Sequence, residues 1–395
     1  MAYFNLGKFG RRIATTSDTA QLWFDRGLTW LYRFNHEEAI ACFEHALDAD
    51  PDCVMARRGI AHCLGPNYNK LWEFFGPEER VFALGRAHAM LAEAHALAAN
   101  NVERALVEAL AERFPTDPAI EDYGPWNEGF AAAMRPVDAH FPEDLDVIAI
   151  YVEAMMNRTP WELWDMATGE PAEGASTVEV RELLEGAFVR NPTAWDHPGL
   201  LHYYIHLMEM SPTPEVALRH GDQLGGLVPD AGHLVHMPSH IDVLCGDYHN
   251  MVARNRRASE VDRAFFDHAG GENFYTVYRI HNLHFQIYRA MFLGQPGNAM
   301  RAATELVETL PEPVVRYLPE LFEAFLPMKL HMLISFGRWE EILAESFPKN
   351  ADLYGYSTAL LHYARTIAQA NLRRIEEARR SAQLFGLHAV WMTPT

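Results

Sequence analysis

Apolar positions recur along this chain every three or four residues, in runs that stop at Gly, Pro or Asn. That spacing predicts amphipathic helices, and no alternating strand pattern bounded by turns competes with it. Residues 20–53 (AQLWFDRGLTWLYRFNHEEAIACFEHALDADPDC) place Trp23, Gly27 and Trp30 on one helix and Ala39, Phe43 and Ala46 on the next. Large and small residues alternate so that two antiparallel helices can interlock, and Pro51 ends the second. Asn35 reads as its N-cap. A further helix at 54–70 stops at Gly65-Pro66, and a hairpin at 77–113 turns at 98–102. Another pair occupies 124–141 and 142–158. Residues 160–176 lack periodicity and read as a loop carrying Trp161 and Trp164, residues that tend to pack over a surface or pocket.

Helix 177–190 ends at Asn191-Pro192, and a histidine-rich stretch, 197–240, follows. Asp196 is the expected N-cap there, with Pro198 in the first turn, and Thr213 the expected cap of the helix that Pro214 opens. Later helices are expected at about 247–267 and 275–293, separated by an interruption at 268–275. Pairs continue to the end, including FGRWEEIL at 336–343 and a last pair near 351–385. The chain therefore reads as all-α, one domain over 1–395, with N-terminal repeats at 20–158, a histidine-rich centre at 177–293 and C-terminal repeats at 300–390.

Composition narrows the partners. The formal charge of −20 argues against nucleic acid and anionic membranes. Four cysteines in 395 residues do not form a disulfide framework and suit a reducing cytoplasm. No secretory leader and no spanning apolar run is evident. Self-association is left open.

The histidines change the picture. His202 and His206 are four apart, as are His236 and His240. From His202 to His236, and from His206 to His240, is 34 residues, the length of one tetratricopeptide unit. On a helix, residues three or four apart share a face. His202, His206 and Glu209 then form one stripe, His233, His236 and His240 a second, and His281 and His284 a third. Neutral imidazole is the commonest metal ligand, and three or four such groups suffice for one ion. A single helical His is usually a core residue bonded to backbone, but seven in register would each cost about 1–3 kcal/mol if left unsatisfied in the interior. Pro238, between His236 and His240, is expected either to re-aim His240 through a kink or simply to bend the stack. His45, His88, His95, His140, His249, His331 and His362 are assigned to the surface.

Weaker candidates for contact with a small molecule are His36, Asn67, Asn69, Trp164, His197, Tyr203 and Tyr278. Each has an ordinary structural alternative: His36 beside a helix cap, Asn67 and Asn69 as turn formers, His197 as a helix-start residue, the aromatics as core. No phosphate-binding glycine loop, nucleophile elbow or His-Glu-x-x-His motif is present.

The segments FNHEEAIACFEHALDADPDCVMARRGIAHCLGPNYN, ERALVEALAERFP, HPGLLHYYIHLMEMSPTPEVAL, AGHLVHMPSHI and YRIHNLHF resemble a group of bacterial and fungal tetratricopeptide repeat proteins. The resemblance implies a superhelix of helical hairpins, an α-solenoid, whose first helices line a concave groove. It implies that His202, His206, Glu209, His233, His236, His240, His281 and His284 all face that groove. It implies no reaction.

The expected function is that of a metal-dependent enzyme acting on a small molecule. An imidazole-dominated ligand set favours copper, then iron or zinc. Copper or iron implies an oxidoreductase using dioxygen. Zinc implies a hydrolase, with Glu209 as ligand or general base. The competing readings are a peptide-binding scaffold without catalysis and a metal store.

Overall fold

A computed structural model describes residues 3–120 and 122–389. Among them there is no β-strand, only isolated bridges between Asn67 and Lys70 and between Trp164 and Pro171. The all-α expectation is met. The chain divides into two compact units, Met1–Gly246 and Asp247–Thr395.

The first unit is a succession of helices in which neighbours in sequence pack together: α1 (Asp18–Leu31), α2 (His36–Ala49), α3 (Val54–Cys63), α4 (Pro77–Leu97), α5 (Asn101–Ala111), α6 (Gly124–His140), α7 (Leu145–Met156), α8 (Thr177–Arg190), α9 (Pro198–Met208), α10 (Leu218–Leu227), α11 (Gly232–His236) and α12 (Pro238–Leu244). Residue size sets how closely they approach. The Phe43 ring of α2 is clasped between Gly27 of α1 and Gly59 of α3, and a Cβ on either glycine would sit 2.6 Å from it. Starts and stops follow local chemistry. Asn35 accepts the Glu38 amide at 3.2 Å, as expected of the α2 cap. Asn100 caps α5 and Asp144 caps α7 in the same way.

Two expected caps differ. Asp196 falls in a short 3-10 turn, Pro192–Asp196, and His197 is the N-cap of α9, its Nδ1 accepting the Leu200 amide at 3.2 Å. Thr213 precedes another short 3-10 turn and makes no side-chain cap bond. Pro238 does more than bend a helix: α11 ends at His236 and α12 begins at Pro238, because proline has no N–H to continue the ladder. The 160–176 segment is irregular, as expected, and is anchored by Trp164, whose Nε1–H donates to the Leu207 carbonyl at 2.6 Å.

The second unit contains α13 (Tyr248–Ala269), α14 (Thr276–Phe292), α15 (Pro296–Thr309), α16 (Glu312–Tyr317), α17 (Pro319–Phe322), α18 (Met328–Ser335), α19 (Trp339–Ala344), α20 (Gly355–Asn371) and α21 (Ile375–Ala389). Its core joins Ile280, Leu283 and Ile287 of α14 to Ala302 and Leu306 of α15 and Met332 and Leu333 of α18. His362, expected at the surface, is buried here against Phe347, because its helix turns that face inward.

Candidate metal centre

Helix α9 begins where a buried polar network fixes its neighbours. Asp146 of α7 accepts from the Tyr32 hydroxyl at 2.6 Å, from Arg11 at 3.1 Å and from His197 Nε2–H at 3.3 Å. Gly199 lets α9 approach Tyr32: a Cβ there would lie 2.6 Å from the ring. With Tyr32 held, its backbone carbonyl accepts the Nδ1–H of His202 at 2.7 Å. One turn further on, the Nδ1–H of His206 donates to Glu209 Oε1 at 2.6 Å.

These two bonds fix the tautomers. With Nδ1 protonated on both rings, Nε2 carries the lone pair. Nε2 of His202 and Nε2 of His206 are buried and have no hydrogen-bond partner among the described residues. His233, at the start of α11, completes the set: His202, His206 and His233 are all buried, and each offers a ligand nitrogen within 4.8 Å of the others. Tetrahedral coordination at 2.0–2.1 Å spaces nitrogens by about 3.4 Å, so small ring rotations would close the set on one ion.

Burial lowers the pKa of all three imidazoles; repulsion from His206 adds to it at His202, and repulsion from His202 and His236 adds to it at His233. For His206 burial outweighs the upward pull of Glu209. All three are therefore Lewis bases at neutral pH without first losing a proton.

Glu209 is the C-cap of α9, and both its imidazole contacts are to Nδ1 atoms. Its second oxygen is 2.5 Å from Nδ1 of His240, so one carboxylate spans two imidazoles. Burial alone would push this carboxyl up; the two rings more than offset that and leave it below the usual carboxylate range. His240 Nε2 in turn lies 2.8 Å from His236 Nε2. The break at Pro238 puts these two rings 4.7 Å apart, centroid to centroid. Expected as a ligand or base, Glu209 instead bonds His206 and His240 and orients both rings.

Aromatic side chains wall the site. The Phe34 ring lies 4.6 Å from His202 and 6.0 Å from both His206 and His233. Tyr68 is 4.9 Å and Trp161 5.5 Å from His206, and the Tyr68 hydroxyl accepts the Trp161 amide at 3.0 Å. Phe34 and Tyr68 were not singled out from sequence. Phe34 lies in the turn between α1 and α2, where its φ of +61° falls in the left-handed region, and nothing in the sequence marks it.

The other expected residues make the following contacts. Tyr203 is buried 5.8 Å from the His202 ring, its hydroxyl without a partner. His197 is a helix cap bonded to Asp146. Asn67 is a turn former whose Oδ1 accepts the amides of Asn69 and Lys70, both at 2.9 Å. Trp164 holds the 160–176 segment to α9. His36 is 3.0 Å from the Cys63 carbonyl and 6.2 Å from the His62 ring. His281, His284 and Tyr278 belong to α14 of the second unit, where His281 packs on Phe285, His284 on Phe325 and Tyr278 on Tyr275.

No family model matches the chain, and no curated protein does. Among solved structures, the chain is similar to the hetero-tetramer Cut9-Hcn1 of the APC/C at 13% identity, covering 96% of this chain and 69% of that one, with a TM-score of 0.32. It is also similar to the TPR domain of P58(IPK) at 14% identity over 93% of each chain, with a TM-score of 0.22. Neither likeness bears on the histidine site.

Proposed function

We propose that the first unit binds a transition-metal ion through His202, His206 and His233 and acts as a metal-dependent oxidoreductase on a small molecule. The observation that carries this reading is the pair of buried, partnerless Nε2 atoms on His202 and His206, each aimed by a hydrogen bond on the opposite ring nitrogen. Leaving two such acceptors empty in a protein interior is unfavourable, and an ion removes that cost.

The metal follows from the donors. Three neutral nitrogens, with neither thiolate nor carboxylate among them, favour copper, with iron or zinc next. His236 and His240 support the same preference. Their Nε2 atoms approach within 2.8 Å, and His240 shares Glu209 with His206, so a second ion there would be oriented in part by the same carboxylate as the first. Copper or iron in this setting fits oxidation of a substrate by two electrons, with dioxygen as the acceptor. Hydrolysis at zinc would need a base beside the bound water, and Glu209 has both oxygens committed to imidazoles. The walls of Phe34, Tyr68 and Trp161 suit a small molecule with apolar surface.

Elemental analysis of protein purified without chelator tests the first step. About one or more equivalents of copper or iron per chain are expected, with oxygen uptake in the presence of reducing substrates. His206→Ala should lose the metal while keeping its far-UV helix signal. Full metal occupancy in that variant would overturn the ligand assignment.

A further inference from the structure

The second unit holds a cleft that the histidine chemistry does not use. Helices α13 and α15 both pack on α14, and a cavity of about 270 Å³ is lined from all three. Arg256, Glu260 and Arg263 come from α13, Gln286 from α14, and Arg301 and Glu305 from α15. Three guanidinium groups therefore share one small space with two carboxylates, in a chain whose formal charge is −20. Their pairing is uneven. Arg263 Nη2 donates to both oxygens of Glu305, at 2.8 and 2.7 Å, and ties α13 to α15. Arg256 comes no closer to Glu260 than 4.0 Å, and Arg257 approaches the same carboxylate at 3.8 Å, both too long for hydrogen bonds. Arg301 donates to the Asn298 side chain and forms no ion pair among the described residues. Two of the three guanidinium groups thus keep most of their N–H donors free for a ligand.

Gln286 points to a ligand independently of the charges. It is 4% exposed, lines the cleft, and makes no side-chain hydrogen bond among the described residues. A buried amide left unpaired is unfavourable, and the cleft is the space from which a partner can reach it. Arg256, Arg301 and Gln286 then offer N–H donors from three helices to one place. A carboxylate presents two oxygens in one plane and is satisfied by a single guanidinium. A phosphate monoester presents three terminal oxygens and a charge of about −1.5 to −2 at pH 7, which suits donors converging from three sides. The space is sufficient, since an engineered cavity of about 150 Å³ already holds benzene. We propose that this cleft binds the phosphate group of a phosphorylated small molecule. Glu305 stays closed on Arg263, and Glu260, facing the same space, opposes the anion and limits its affinity.

Calorimetric titration of the whole chain with sodium phosphate, at fixed pH and ionic strength, is the test. A saturable site is expected, about tenfold or more tighter than for sodium acetate. Arg301→Ala should weaken phosphate binding about ten- to a hundredfold, as loss of a hydrogen bond to a charged group does. Gln286→Met should weaken it by less, and Glu260→Gln, which removes the opposing carboxylate, should tighten it. Arg379→Ala, at an exposed arginine of α21, should leave it unchanged. Arg301 and Glu260 are exposed, so their variants keep the test open if Gln286→Met fails to fold. Phosphatidic acid carries the same group on a lipid, and the chain should not sediment with its vesicles. No saturable site in wild type, equal affinity for acetate, unchanged binding in Arg301→Ala, an equal loss in Arg379→Ala, or vesicle binding that Arg301→Ala abolishes would each overturn the assignment.

Discussion

Replacing Glu209 by Gln isolates the part of the account that geometry alone supplies. The carboxylate accepts Nδ1–H of His206 at 2.6 Å and faces Nδ1 of His240 at 2.5 Å. An amide has one acceptor and one donor. Turned toward His206, its NH2 would force that ring's proton to Nε2, the atom that would bind the metal; turned toward His240, it does the same to that ring and leaves His206 only an uncharged, weaker acceptor. A hydrogen bond to a charged group contributes about 1.5–3 kcal/mol. At about 1.4 kcal/mol per decade this corresponds to roughly a 10–100-fold loss in metal affinity, the range found when a carboxylate behind a ligating histidine is removed. Glu209→Asp, one methylene shorter, should reach one ring but not both and fall between. The assay is a competition titration with a chromophoric chelator at fixed pH, with circular dichroism confirming unchanged helix content. A dissociation constant for Glu209→Gln within about twofold of wild type would show that the carboxylate does not orient the ligands.

Other consequences follow from contacts already described. Gly199→Ala would place a Cβ 2.6 Å from the Tyr32 ring, so it should cost about 1–3 kcal/mol in urea denaturation and also weaken metal binding through the Tyr32 carbonyl; unchanged affinity would sever that link. Trp164→Phe leaves the Leu207 carbonyl without its donor and should lower stability by about 1–3 kcal/mol, and an unchanged urea midpoint would count against the anchoring role. Burial lowers His36 to about 3 and His62 to about 4, so both are neutral in the folded state and regain protons on unfolding. The unfolded chain therefore binds more protons below its ordinary value of about 6.5, and stability held above that pH should fall as pH drops toward 4. Urea midpoints that stay flat between pH 7 and 5 would refute this.

Much of this was legible because it is local. The interlock of Gly27 with Phe43, the Asn35 cap and the proline stops are set by residues close in sequence. The two i, i+4 histidine pairs are legible for the same reason. What holds those histidines is not. The carbonyl that fixes His202 belongs to Tyr32, 170 residues away, and a backbone oxygen leaves no mark in a sequence. Glu209 was visible as a neighbour of His206, three residues on, but its second bond crosses to α12. Among the buried groups, Arg58 and Arg113 went unremarked as single charges far apart in sequence, although Arg113 Nη2 donates to Glu153 at 3.0 Å. The available signal was Glu153 inside the apolar run LDVIAIYVEAMM, where a buried carboxylate requires a cation nearby.

X-ray absorption at the metal edge of the purified protein tests the central claim most directly. The account predicts a nitrogen shell at about 2.0 Å with scattering from imidazole carbons behind it, lost in His202→Ala. A sulfur- or oxygen-only shell, or no bound metal to measure, would contradict it.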